Sequence, residues 1–220
     1  MALTNASTEC KWSANTTTYP SITATDEDGV TYDNNFTYSD PSGNYTSFIN
    51  DKDGYSETKA INKKYSSSLQ SDHPAFWYAL NYGTSKEPTT TAYAAPNGSS
   101  GWYLPSIGQW WDIVTKLGRM PTVVTSYGDG WCRWYGGDKN GKNKNYSSIC
   151  DSIINIYLTS VSSYGTPDLF GSSQEYYLSS SEYDSKDNYN IGFYCYTDGD
   201  LYLAYGTKDV TNKVRAVITF

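Results

Sequence analysis

Histidine and cysteine, the side chains that most often carry nucleophilic or metal chemistry, are sparse in this sequence. The one histidine, His73, has no serine or cysteine motif around it that would make it a catalytic base, and its place before Pro74 is typical of a turn. The four cysteines show no CxxC spacing and therefore predict no zinc site: Cys10, Cys132, Cys150 and Cys195. One or two disulfides and buried free thiols are both compatible with these positions.

Carboxylates are plentiful, with 23 Asp and Glu residues against 16 Lys and Arg. Paired carboxylates for glycoside hydrolysis stay open, although none lies in an apolar pocket sequence. The segments 26–29 and 51–54 read DEDG and DKDG, but neither supplies the alternating ligands and closing Glu of a calcium loop. We therefore expect solvated turns at these segments, no metal, no cofactor and no enzymatic activity.

The segment from Tyr176 to Phe220 is rich in tyrosine and small polar side chains, which favours a role in ligand binding. Apolar and polar residues alternate there on both sides of an Asp-Gly turn at 198–199, which predicts two half-buried strands joined as a hairpin. The set expected to face a core is Tyr189, Ile191, Phe193, Leu201, Leu203, Val214 and Val217. The set expected to face water includes Asn190, Tyr194, Asp200, Tyr202 and Ala204. A face of Tyr, Asn, Asp and Ser resembles antibody binding loops, although Tyr is also simply favoured in strands.

The composition favours an extracellular all-β or α+β protein. The chain has 220 residues with 7 Trp, 23 Tyr and 6 Phe, which is too aromatic for a disordered protein. Its length fits a single domain spanning residues 1–220. The net charge of -7 argues against nucleic acid as a partner and against anionic membrane surfaces. No apolar run approaches the roughly eighteen residues of a membrane span, so we expect no membrane insertion.

Four segments are predicted to be helical: 56–69 with Ser56 as N-cap, 74–80, 106–118 and 147–160. Ser106 and Gln109 have the spacing of a capping box, and Gly118 fits a C-cap. The apolar face of the third helix is predicted to be Trp110, Ile113, Val114 and Leu117, and that of the fourth Ile149, Ile153, Ile154 and Leu158.

Two long stretches between these helices are predicted to be loops, a polar one at 83–100 and a glycine-rich one at 119–145. Loops of the second length are often functional. Its aromatic residues would either stack on a sugar or a partner, or fill a groove beneath the loop: Trp131, Trp134 and Tyr135.

Several longer motifs occur in one order along the chain. They are GWYLPSIGQWWDIV at 101–114, YLSSSE at 177–182, an aromatic-x-Ile-x-Phe strand at 189–193 and VRAVITF at 214–220. Together with the start, MALTNASTECKWS, they resemble C-type-lectin-fold domains at the ends of gut bacterial fimbrillin-like surface proteins and related phage proteins. Leu178 stands where that family usually has Trp. The resemblance implies an α+β fold with small twisted antiparallel sheets, two or three flanking helices, long loops, and N- and C-terminal strands side by side.

The segment between SSSE and VRAV also resembles the variable proteins of diversity-generating retroelements, which include phage tropism determinants and pilus adhesins. In that family adenine mutagenesis varies codons in this segment and gives Asn, Tyr, Ser, Asp, Gly, Thr and Ala. The resemblance implies a display surface within 176–212. The residues expected to bind the ligand are Tyr183, Asp184, Ser185, Asp187, Asn190, Tyr194, Tyr196, Thr197, Tyr202, Ala204, Tyr205, Thr207 and Asp209.

The function implied is a receptor-binding or adhesin domain whose ligand is a protein or glycan on another cell or particle. Its location would be extracellular, at the cell surface or pilus, or on a virion tail. A structural fimbrial subunit that mediates assembly is the alternative. Formylglycine-generating enzymes share the fold and use a cysteine pair, but the residues around Cys150 and Cys195 do not match theirs. Glu87-Pro88-Thr89 only partly matches the sugar-binding motif of calcium-dependent lectins, so calcium-dependent sugar binding is not expected.

Overall fold

The computed structural model describes residues 1–14, 24–25, 31–32, 50–122, 126–128, 131–134, 145–170, 174–182, 189–195 and 199–220. The strands in these ranges are β1 (Ser7–Cys10), β2 (Ala24–Thr25), β3 (Thr31–Tyr32), β4 (Ser126–Gly128), β5 (Trp131–Trp134), β6 (Glu175–Glu182), β7 (Tyr189–Cys195), β8 (Leu201–Thr207) and β9 (Asn212–Val214). Seven of them form one sheet in the order β1-β9-β6-β7-β8-β5-β4, and β2 pairs with β3.

The helices are α1 (Gly54–Lys64), α2 (Leu69–Asp72), α3 (Pro74–Asn81), α4 (Ile107–Asp112) and α5 (Tyr146–Ser160). A π-helical turn, Ile113–Leu117, continues α4, and 3-10 turns occur at Pro88–Tyr93 and Ser162–Tyr164. The expected α+β class is confirmed. Within the described ranges, none of these helices has the length and apolarity that crossing a bilayer requires.

Two clusters of buried side chains hold the layers together. The first joins α4 and α5 to β5, β7 and β8 through residues that include Trp110, Ile154, Phe193 and Leu203. The second joins α1 and α3 to β1, β6 and β9 through residues that include Ile61, Phe76, Leu178 and Val214. Side chains alternate along a strand, so β6 sends Tyr177 into the first cluster and Tyr176 into the second. All eight residues of β6 are consequently buried.

The core positions predicted for the closing strands are confirmed where the structure describes them. Five side chains are at most 6% exposed: Phe193, Leu201, Leu203, Val214 and Val217. The side chains of Tyr189 and Ile191 lie outside the described part of the chain. Alternation in the sequence therefore identified the buried face of β8 correctly.

The two ends of the chain lie side by side, as the resemblance implied. β1 pairs antiparallel with β9. Ala2 N donates to Ala216 O at 2.7 Å, and Ala6 N donates to Val214 O at 2.8 Å. The buried guanidinium of Arg215 adds hydrogen bonds to Leu3 O at 2.8 Å and Asp168 O at 2.7 Å. Arg215 thus links the first residues of the chain, by hydrogen bonds, to the end of β9.

The first predicted helix begins earlier and ends sooner than expected. Asp53, not Ser56, is the N-cap, and α1 ends at Lys64 before a separate short α2. Gly54 permits this start, because a Cβ at Gly54 would lie 2.5 Å from Ser106 N. The close approach of two backbones, rather than the capping preference of serine, therefore determines where α1 begins.

The capping box predicted for α4 is present, with Ser106 N donating to Gln109 Oε1 at 2.9 Å. Trp110 and Val114 are fully buried, but Leu117 is 36% exposed, so its predicted core position is wrong. The π-helical turn explains the difference, since Gly118 N donates to Ile113 O, five residues back, at 2.9 Å. The wider turn rotates Leu117 out of the core.

The predicted apolar face of α5 is only partly right. Ile154 and Leu158 are buried, whereas Ile149 is 43% exposed. The face that enters the core is Ser147, Cys150, Asp151, Ile154 and Leu158. Gly118 allows this contact, because a Cβ there would lie 2.5 Å from the Cys150 Sγ atom. Small and polar residues lie where α5 comes closest to Gly118. A prediction based on hydrophobic periodicity therefore missed the buried face of α5.

The glycine-rich segment 119–145 is not a loop throughout, because it contains β4 and β5. Trp134 is fully buried, with its ring centroid 5.3 Å from that of Trp111 and its Nε1 donating to Pro121 O at 2.9 Å. The groove-filling alternative therefore holds for Trp134. The side chain of Trp131 and all of Tyr135 lie outside the described residues.

Candidate ligand-binding surface

The hairpin of β7 and β8 places the predicted binding residues on both of its faces. In its register, Tyr194 pairs with Tyr202 and Ile191 with Tyr205, whereas Phe193 pairs with Leu203. Tyr205 thus belongs to the face that carries Leu203, but beyond the edge of the core, where it is 40% exposed. Tyr202 and Ala204 occupy the opposite face and are half-buried.

Tyr194 does not simply face water, as the sequence predicted. It is half-buried against Tyr176, on the margin of the second core cluster. The rings occupy space that two glycines leave open on the sheet. A Cβ at Gly192 would lie 2.5 Å from Tyr176 Cζ, and one at Gly206 would lie 2.7 Å from the Tyr194 hydroxyl oxygen. Tyr194 is therefore partly a framework residue.

Tyr202 is held by two charged neighbours. The Arg133 guanidinium lies 4.9 Å from the centroid of the Tyr202 ring, and the Tyr202 hydroxyl donates to Asp200 Oδ2 at 3.2 Å. Arg133 and Asp200 also form an ion pair. The expectation that Asp200 faces water is wrong: it is 2% exposed, because its cationic partner comes from β5. The ring of Tyr202 is consequently presented in a fixed orientation.

The end of β8 is the most accessible described part of the predicted surface. After Tyr205 the chain continues through Thr207 and Asp209, which are half-buried, to Val210, which is 51% exposed. Ala204 lies next to Tyr176, whose hydroxyl donates to Ala204 O at 3.4 Å. A ligand approaching this end would meet one tyrosine, a hydroxyl and a carboxylate.

Six of the predicted residues are not among those that the structure describes: Tyr183, Asp184, Ser185, Asp187, Tyr196 and Thr197. For Asn190 the backbone alone is described, in register with Gly206. Their roles stay predictions. The described part of the candidate surface is therefore Tyr194 and the segment from Tyr202 to Asp209.

The serines of the 177–182 motif hydrogen-bond neighbouring elements of the fold, a structural role that the sequence did not predict. Ser180 donates to the Glu57 carboxyl, and Ser181 donates to Asp51 while accepting from Ile107 N at 2.8 Å. β6 is therefore attached to both α1 and the start of α4. The signal in the sequence was three consecutive serines inside a strand, where side chains on both faces need partners.

The two carboxyl groups that accept hydrogen bonds from these serines, those of Glu57 and Asp51, have raised pKa values. Burial raises the pKa of Glu57 well above its usual range, and the nearby Asp51 raises it further by repulsion. Burial also raises the pKa of Asp51 to about 6, although the hydrogen bond from Ser181 opposes the shift. A protonated Glu57 removes the cost of burying its charge beneath β6.

His73 and the three cysteines whose side chains the structure describes are buried. Cys10, Cys132 and Cys150 are buried free thiols, and burial raises the pKa of Cys10 and of Cys132 to about 12. Burial lowers the pKa of His73 to about 4, and its ring centroid lies 4.3 Å from that of Tyr65. In the described ranges, no three His, Cys, Asp or Glu side chains come together in a way that would hold a metal ion.

Comparison with known proteins yields a similarity of structure. The chain is similar to a fimbrial protein from Bacteroides ovatus whose crystal structure is known, with a TM-score of 0.50 and 16% sequence identity. The match covers 94% of this chain and 34% of that one, so the chain spans about a third of the length of the fimbrial protein. Neither the protein-family models nor the curated proteins give a match.

A similarity at this level of identity shows a shared fold. It extends over 94% of the chain. The α+β architecture is thus found in a second protein of very different sequence.

Proposed function

We propose that the protein is a ligand-binding domain of the C-type-lectin fold, which recognises a protein or a glycan through β8 and the segments that adjoin it. The carrying observation is the contrast along β8. Leu201 and Leu203 are fully buried, Tyr202 and Ala204 are half-buried, and Tyr205 is 40% exposed. The same strand therefore contributes both to the core and to an accessible surface.

The framework beneath this surface favours recognition with little rearrangement. β7 is hydrogen-bonded to β6 on one side and to β8 on the other. Tyrosine gives a large contact area at a small cost in conformational entropy, and its hydroxyl adds a hydrogen bond. A Tyr202 ring already oriented by Arg133 and Asp200 loses little further freedom when a ligand binds.

A second part of the proposal is that the surface is diversified. The resemblance to variable proteins of retroelements supports it, as do the Tyr, Asn, Asp, Ser and Thr residues between 183 and 209. The genetic test is to sequence the DNA around the gene. A reverse-transcriptase gene and a near-copy of codons 183–212 that differs at adenines are expected. If the locus contains neither, the diversification hypothesis is wrong, and the proposal of ligand binding is unaffected.

A display library tests the binding role directly. Codons 202, 204, 205, 207 and 209 are randomised to Tyr, Asn, Asp, Ser, Thr and Ala, and a matched library randomises codons 193, 201 and 203 in the same way. Most members of the first library are expected to fold and to yield binders against protein or glycan targets, whereas most of the second should not fold. Equal loss of folding in both libraries would contradict the proposal.

A structural role in pilus assembly is the second candidate, and the similarity to a fimbrial protein favours it. The same similarity supports a location at the cell surface. The two roles differ in solution. A subunit that assembles by head-to-tail contacts forms open polymers, whose mean length grows with concentration. Light scattering of the purified protein from micromolar to millimolar concentration separates such polymers from a receptor-binding domain.

A further inference from the structure

The turn at residues 96–99 carries an asparagine followed by a glycine at its tip. Ser99 N donates to Pro96 O at 3.2 Å, which closes the turn. Gly98 has a φ of +83°, and a positive φ at the third position is typical of a type II turn. Pro96, Asn97 and Gly98 are all exposed. The amide of Asn97 therefore meets water beside the backbone of the most permissive residue type.

The backbone nitrogen of Gly98 is accessible. In the part of the chain that the structure describes, no group accepts a hydrogen bond from Gly98 N. A Cβ built on Gly98 would have no other atom within 4 Å, so the space around the residue is open. Glycine has no side chain of its own to shield its nitrogen. The carbonyl carbon of the preceding side chain can therefore reach this nitrogen.

We propose that Asn97 is a site of spontaneous deamidation in the folded protein. Gly98 N attacks the Asn97 Cγ atom and forms a C–N bond, while the bond from Cγ to the amide nitrogen breaks. That nitrogen leaves as ammonia with the proton that Gly98 N loses, and a five-membered succinimide ring remains. Water then opens the ring at one of its two carbonyls, which gives aspartate or isoaspartate at this position.

The hydrogen bonds of the turn allow this rearrangement. Two bonds close the tip, from Ser99 N at 3.2 Å and from Ser99 Oγ at 2.6 Å, and both end on Pro96 O. Loss of that single acceptor opens the tip. The following residue stays in place, because Ser100 N donates to Thr219 O at 2.9 Å and Ser100 Oγ accepts from Thr219 N at 3.1 Å. Local opening therefore frees Asn97 without disturbing the sheet.

Two other asparagines lack this combination of features. The Asn155 side chain donates to Phe170 O at 2.9 Å and accepts from Phe170 N at 2.8 Å, and within α5 the next backbone nitrogen is engaged by helical hydrogen bonding. Asn145 accepts from Ser148 N at 2.7 Å as the N-cap of α5. Both amides are held away from a backbone nitrogen. The second Asn-Gly pair of the sequence, at 140–141, lies outside the described residues.

Deamidation at Asn97 changes the charge of the protein more than its fold. A neutral amide becomes a carboxylate, so the net charge of -7 becomes more negative by one. The isoaspartate form also lengthens the main chain by one carbon atom, at an exposed tip with open space around it. Changes at such positions have small effects on stability. A purified sample should therefore become a mixture of charge forms that share one structure.

Peptide mapping by mass spectrometry after incubation at pH 7.4 and 37 °C tests the proposal on the folded protein. Asn97 should deamidate at least about ten-fold faster than Asn155, because the turn opens at little cost and the helix does not. Both aspartate and isoaspartate should form, and in heavy-oxygen water the new carboxyl should gain a heavy oxygen. A peptide with the sequence of residues 94–101 is the reference. If Asn97 stays intact in the protein while this peptide deamidates, the proposal is overturned.

Two alanine variants separate attack by Gly98 N from a general loosening of the segment. Gly98 and Gly101 have φ values of +83° and +78°, and a Cβ on either would have no other atom within 4 Å, so the strain that alanine introduces is matched. Gly98→Ala should slow deamidation of Asn97 at least about ten-fold, because its methyl group shields the attacking nitrogen, whereas Gly101→Ala should leave the rate within about two-fold. Equal rates in the two variants would overturn the mechanism.

Discussion

Lys208 forms an ion pair with Glu182 in which both side chains are almost completely buried, at 0% and 2% exposed. The Lys208 Nζ atom also lies 4.8 Å from the centroid of the Trp12 ring, and the Lys208 carbonyl accepts from Ser13 N at 3.1 Å. The pair joins the residue after β8 to the end of β6 and to the first segment of the chain. It therefore fixes one end of the hairpin that carries the candidate surface.

Lys208→Met should destabilise the protein by about 3–5 kcal/mol, because it leaves the Glu182 carboxylate buried without its cation. Urea denaturation followed by fluorescence measures the change. The double variant Glu182→Gln with Lys208→Met should recover much of the loss, since neither charge is then buried. A single variant as stable as the wild type would show that the pair is not buried in solution.

The hairpin tyrosines should differ in their effect on stability. Tyr194→Ala should cost about 1–3 kcal/mol, because it exposes Tyr176 and opens a void beside Gly206. Tyr205→Ala, at an exposed position, should stay within about 0.5 kcal/mol of the wild type. Thermal unfolding of both variants at one pH is the measurement. Equal melting temperatures for the two would mean that Tyr194 is a display residue with no framework role.

Glu57 and Asp51 should contribute a stability that falls as the pH rises from about 4, against the opposite contribution of His73, whose lowered pKa makes stability rise with pH. Burial raises the pKa of Glu57, and that of Asp51 to about 6, in the folded state. Above the unfolded values near 4, the folded protein therefore binds more protons on these two carboxyls than the unfolded chain does, and their contribution to stability is lost as they ionise.

Glu57→Gln should reduce this pH dependence and raise stability above pH 6, because the amide can keep the hydrogen bond from Ser180 without a charge. Glu9→Gln, at an exposed carboxylate, is the control and should leave the slope unchanged. Urea midpoints measured from pH 4 to pH 8 give the result. A steeper slope for Glu57→Gln than for the wild type would contradict the assignment.

The buried thiols should be inert in the folded protein. Cys10, Cys132 and Cys150 are buried, and their pKa values are raised, so little reactive thiolate forms at pH 8. Alkylation with iodoacetamide followed by peptide mass spectrometry should modify none of these three without denaturant and all three in 6 M guanidinium. Rapid native labelling of Cys132 would show that β5 detaches from β8.

Local patterns predicted much of the framework. Alternation identified the buried side of β8, and the spacing of Ser106 and Gln109 identified the cap of α4. The motif resemblance implied that the first and last strands are neighbours, which the β1–β9 pairing confirms. Each of these features depends either on residues that are close together in sequence or on a complete motif shared with the family that the chain resembles.

The errors come from partners that are distant in sequence. Asp200 looks like a surface residue until Arg133, which lies 67 residues earlier, is placed beside it. Tyr194 looks displayed until Tyr176 and the two glycines of the hairpin form a recess for its ring. α1 begins at Gly54 because of a backbone that approaches from residue 106. No periodicity within one element contains this information.

The backbone hydrogen bond between Ala2 and Ala216 has a practical consequence. Because both tails emerge at one place, a short glycine-serine bridge could join them, and new termini could be opened in the exposed turn at 97–99, far along the chain from the hairpin. Such a circularly permuted protein would keep every strand of the sheet. It would also move the fusion junction to the turn at 97–99, next to Ser100, which is hydrogen-bonded to Thr219, so that the tyrosine-bearing hairpin is joined to its carrier through an internal turn instead of a chain end.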